Sequence, residues 1–203
     1  MIKTTLAALL PFLMFGSTIP DDDVVSKIDT TLASRDTPVE TPVEIEVEQY
    51  TGWTCEGCTV QEQMALEAFH AQGITDKNAI AALMGNIRQE SKFIPDICEG
   101  GARVPYQRCY TGGYGLIQWT TTGRYDGLGR HANKIGKDPS TTEAQLSYLF
   151  TEREWREVES AMKTPGKSIE WYMKYAYRWL GWGVHGARTD YAYNYARMLY
   201  KAS

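Results

Sequence analysis

The fold turns on residues 82–96, ALMGNIRQESKFIPD. With the preceding Ala79 and Ile80, its Leu83, Met84 and Ile87 recur at the spacing of one helical face. Thr75 or Asp76 stands where an N-cap side chain is needed, so the pattern predicts a helix that ends near Glu90. At about 100° per residue, Glu90 falls about 20° from Leu83 and about 60° from Ile87, at the edge of the apolar stripe. Partial burial there and the negative end of the helix dipole both favour the uncharged carboxyl. Such a group can serve as a proton donor.

Before this helix, Val60, Met64, Ala65, Ala68 and Phe69 outline another, closed by Gly73. After it, residues 94–119 are rich in Gly and aromatics and read as a small sheet region, with GGYGLIQWT (112–120) as its best strand. Gly112, Gly113 and Gly115 allow tight turning. In a strand, Tyr114, Leu116 and Gln118 would share one face, opposite Ile117 and Trp119. Ser140 and Glu143 form a capping-box pattern, followed by helical periodicity near 141–150, 152–163, 168–180 and 187–201. The aromatics of WYMKYAYRWLGWG and DYAYNYARMLY recur at helical spacing and read as packing faces, with Trp182, set between two glycines, also suited to the rim of a cleft. The fold class expected is α+β, mainly helical, with one β-hairpin lobe.

The 203 residues are 43% apolar, with six Trp and thirteen Tyr, enough for one packed domain with extensions. Three segments are expected. Residues 1–20 carry Lys3 ahead of an apolar stretch from Leu6 to Phe15, which reads as an export signal, with a weak anchor that associates transiently with the membrane as the alternative. Residues 21–50, including DTPVETPVEIEVEQ, read as a flexible acidic spacer, and 51–203 as the domain that does the chemistry. Net charge is −4, but nine of the 25 acids and only three of the 21 cations lie within 1–48. The remainder is faintly cationic, which suits an anionic polymer but lacks the dense basic runs of a nucleic-acid binder. Nucleic acid is not an expected partner.

Four cysteines in a chain read as exported point to disulfides. Cys98 and Cys109 bracket a short glycine-containing loop and are expected to pair. Cys55 and Cys58 form a CxxC that reads first as a local clip; a redox pair and half of a zinc site are the alternatives. His70, His131 and His185 share no metal-ligand spacing, and neither a phosphate-binding glycine loop nor a Ser/His/Asp set stands out. No metal and no cofactor are expected.

Taken in order and spacing, ALMGNIRQESKFIPD, GGYGLIQWT and the later AQLSYLF (144–150) resemble the phage tail lysozyme family. Helix, ES-x-F and then a glycine-rich hairpin carrying G-L-x-Q also look like the broader pattern of goose-type lysozymes and lytic transglycosylases. The resemblance covers residues 60–200 and is strongest over 81–120. It implies a lysozyme-like fold, with a sugar cleft between a helical body and a small sheet. It also implies cleavage of the bond between N-acetylmuramic acid and N-acetylglucosamine in peptidoglycan, with Glu90 as the catalytic acid. Gln118 would lie near Glu90 and bond substrate or a water, and Tyr114 would line the cleft; Trp119 is read either as core or as a sugar platform. Glu99 stands at the separation of the second carboxylate in small phage lysozymes, although Pro105 replaces their Thr; Asp96 and Asp126 are further candidates, and goose-type relatives manage with one Glu. The implied partners are glycan strands and virion tail proteins, and the location is exported or virion-associated. The rival function is a wall-binding or virion structural subunit that has lost turnover.

Overall fold

Helix α2 (Lys77–Ser91) is the axis of the fold, and its burial follows from its composition. Asp76 caps it by accepting from the N–H groups of Asn78 and Ala79, and Ala79 through Ile87 are fully buried. Ile80, Leu83, Met84 and Ile87 each stand to contribute about 1.5–3 kcal/mol through burial. The computed structural model describes residues 49–203 apart from 111 and 121. The signal-like segment 1–20 and all but the last two residues of the acidic spacer lie outside the described residues.

Around α2 pack α1 (Val60–Ala71), α3 (Thr122–Lys134), α4 (Thr142–Leu149), the short α5 (Arg153–Arg156) and α6 (Glu159–Met162), α7 (Ile169–Leu180) and α8 (Arg188–Met198). Against α2 the tightest neighbour is α8. A Cβ on Gly85 would lie 2.6 Å from the Ala192 nitrogen and 2.7 Å from the Arg188 carbonyl oxygen, so only glycine lets the two backbones approach this closely. That approach brings the first turn of α8 beside the last turn of α2. Among the described residues, no helix is long and apolar enough to cross a membrane.

The fold is mainly helical with a small antiparallel sheet, as expected, but the sheet lies elsewhere. Strands β1 (Trp53–Cys55) and β2 (Leu199–Lys201) pair near the two ends of the described chain, with Thr54 opposite Tyr200. The GGYGLIQWT segment forms turns instead, joined to its surroundings by isolated bridges such as Cys98 to Tyr114. Positive φ at Gly115 (73°) and at Gln118 (53°) breaks the extended backbone, and Trp119 N–H donates back to the Tyr114 carbonyl at 3.0 Å. The two-face alternation therefore fails: Tyr114, Leu116, Ile117 and Trp119 are all buried.

Three smaller expectations also change. Ser140 does not cap α4; Thr141 does, accepting from Ala144 N–H, while Ser140 Oγ accepts from Tyr106 N–H. The helix expected over 152–163 divides into α5 and α6, and the last helix ends at Met198, where β2 begins. Both expected pairings of cysteine are present, Cys98 with Cys109 and Cys55 with Cys58. The second is the local clip expected from the CxxC spacing.

Candidate functional site

Glu90 lies in the last turn of α2, which closes at Lys92 in the left-handed region (φ 54°) with its N–H bonded to the Arg88 carbonyl. The neighbouring Ser91 fixes this end to the glycine-rich loop: its Oγ lies 2.8 Å from the Leu116 carbonyl oxygen and accepts from Phe93 N–H. From the other side, buried Gln145 of α4 accepts from Leu116 N–H at 2.8 Å. Its amide nitrogen donates to the carbonyls of Pro95 and Pro139. A Cβ on Gly115 would lie 2.4 Å from that Gln145 side chain, so glycine is required there for space as well as for φ. The three motifs thus meet at Leu116. Their spacing in the sequence records one hydrogen-bonded junction, which holds the end of α2 against the loop.

Beside this junction opens a cavity of 370 Å³ lined by Glu90, Ile117, Gln118, Thr120, Trp182 and Arg188, among others. Glu90 is largely covered, with 16% of its side-chain surface exposed, and is ion-paired through Oε1 to the guanidinium of Arg188, itself only 6% exposed. Arg188 is held in turn by the carbonyls of Val184 and His185, each at 2.8 Å, and lies over the Trp182 ring at 4.8 Å. Gln89 secures the same 183–187 loop by accepting from Ala187 N–H at 2.9 Å, in a space that Gly186 leaves free. Arg188 thus fixes the carboxyl group of Glu90 through one oxygen, Oε1.

Gln118 lines the same cavity as Glu90, with its amide nitrogen 3.0 Å from the Gly115 carbonyl oxygen. Tyr114 and Trp119 do not line it. Both are fully buried: Tyr114 turns its hydroxyl to the Val104 carbonyl at 3.0 Å and Ser140 at 2.9 Å, and Trp119 packs on Tyr148. Of the two readings of Trp119, the core one holds. The turn geometry explains both corrections, because a segment that folds back on itself tucks its large side chains inward.

The other acids stand apart. Glu99 accepts from Gly113 N–H at 3.1 Å and pins the Gly112–Gly113 turn. Asp96 pairs with Arg103 at 2.9 Å, and Asp126 borders a separate cavity with Tyr110 and Tyr125. Among the described residues, Glu90 is the one acid lining its cavity. Arg188 was not foreseen as part of the site. Nothing local marks it, since it reaches Glu90 across 98 positions of sequence through the close α2–α8 approach.

A family model described as phage tail lysozyme matches residues 61–202, a span that includes all three motifs and Arg188. No curated protein and no solved structure matches the chain.

Proposed function

The chain belongs to the phage tail lysozyme family, and from that premise we propose that it is a peptidoglycan-cleaving glycosidase in which Glu90 is the catalytic acid. The supporting observation is a single carboxyl group, largely covered, that lines one cavity with Gln118 beside the junction of the three motifs. In this reading, Glu90 gives its proton to the oxygen between N-acetylmuramic acid and N-acetylglucosamine. The bond from that oxygen to the sugar carbon breaks, and positive charge develops on the ring. With no second acid among the described lining residues, the attacking group comes from water or from the substrate's own acetamido or 6-hydroxyl group.

In such a reaction Arg188 would counter the negative charge left on Glu90 once the proton departs. Gln118 supplies an amide for a substrate oxygen or an attacking water. With an exported or virion-borne location, the enzyme would open the wall from outside the cytoplasm. The test is digestion of purified peptidoglycan by the full chain, with mass spectrometry of the fragments. New muramic reducing ends identify hydrolysis, 1,6-anhydro ends identify internal attack, and neither product leaves the structural-subunit reading.

A further inference from the structure

Trp182 borders more than the Glu90 cavity. The same residue lines a second cavity of 540 Å³, bounded by Met173 and Tyr177 of α7 and by His185. The sequence builds this wall at the end of α7. Gly181 takes a left-handed φ of 64° with its N–H bonded to the Tyr177 carbonyl at 2.7 Å, turning the chain back so that Trp182 returns against Tyr177. The two rings meet edge to face with centroids 5.2 Å apart. Tyr177 is 54% exposed, whereas Tyr172, five positions earlier and about 140° round the helix, is buried. Lys174, Arg178 and Glu170 also line this cavity.

We propose that this second cavity is a sugar subsite continuous with the Glu90 cavity, in which the exposed ring of Tyr177 takes the apolar face of an N-acetylated sugar. The inference rests on the glycan-cleaving reading and extends it along the strand. Three features support a glycan over other occupants. The cavity shares Trp182 with the proposed reaction site, so a polymer threaded through one meets the other. Its lining sets Met173, Tyr177 and Trp182 among polar and charged side chains, a composition suited to a flat ligand with one apolar face and hydroxyl edges. Lys174 and Arg178 outnumber Glu170 in that lining, which suits a wall strand whose lactyl-linked peptides carry carboxylates.

The experiment measures binding of the N-acetylglucosamine hexamer by calorimetry, in the full chain carrying Glu90→Gln to prevent turnover. Adding Tyr177→Ala should weaken binding about tenfold, or about 1.4 kcal/mol, while Tyr177→Phe retains the affinity of the parent. Equal affinity with Ala, or no saturable hexamer binding, overturns the subsite even if wild type digests peptidoglycan. Displacement of the hexamer by the stem peptide alone also overturns it. If the hexamer binds in a Tyr177-dependent way but Glu90→Gln digests peptidoglycan as fast as wild type, the catalytic reading fails and the groove stands.

Discussion

Replacing Arg188 by Met removes the cation from Glu90 while leaving a side chain of similar reach. Loss of one member of a buried ion pair costs about 3–5 kcal/mol when the remaining charge is sealed from water. Here the cost is reduced, because Glu90 retains 16% of its exposure and the Val184 and His185 carbonyls belong to exposed residues that water can serve. The contact with Trp182, at 4.8 Å, adds roughly 1 kcal/mol. The expected loss is about 2–4 kcal/mol, a fall in Tm of roughly 5–15 °C for a domain of this size. Calorimetry on Arg188→Met, Glu90→Gln and the double variant isolates the pair. Since Glu90→Gln puts a neutral amide where the stranded carboxylate would be, the double variant should be at least as stable as Arg188→Met alone, with a coupling of about 1 kcal/mol or more. Additive losses, to within about 0.5 kcal/mol, would refute the claim that the two side chains act as a pair.

Gly85→Ala tests the helix contact that positions Arg188. Its Cβ would press on the α8 backbone at 2.6 Å, and overpacking toward the upper end of about 1–3 kcal/mol outweighs the roughly 1 kcal/mol gained in helix propensity. Tm and peptidoglycan digestion should both fall; an unchanged Tm would show that the helices have room to part. Alkaline titration tests the tyrosine-rich core. Burial pushes Tyr106, Tyr114, Tyr148 and Tyr172 up to about 12 from the ordinary value of 10. A raised folded value means that their contribution is whole below pH 10 and is lost as pH rises from 10 through about 12. The share of phenolate absorbance owed to these four should therefore appear only as helical circular dichroism is lost, and ionisation of all thirteen tyrosines near 10 with the fold intact would contradict this.

The helical body was legible because its signals are local. Leu83, Met84 and Ile87 fall at helical spacing and are fully buried, and Asp76, one of two expected caps, makes its bonds. The glycine-rich segment was misread because alternation of side chains cannot reveal that Gly115 and Gln118 adopt positive φ, nor that Gln145 supplies the bond a neighbouring strand would have made. Helix α3 was missed for a related reason. Its glycines lower helix propensity, yet Gly127 and Gly129 admit the Tyr148 and Tyr106 hydroxyls where a Cβ would collide. At the site, Glu90 and Gln118 were readable from motif and spacing, and they do share a cavity. Arg188 was not, because its place depends on the close packing of two helices distant in sequence.

The most direct test of Glu90 as the proton donor is the initial rate of peptidoglycan digestion by wild type and by Glu90→Gln, each shown by melting to be folded. General acid catalysis contributes about 10²–10⁴-fold, so the rate should fall by at least about 100-fold while peptidoglycan still binds. Digestion by the Glu90→Gln variant at the wild-type rate would contradict the assignment.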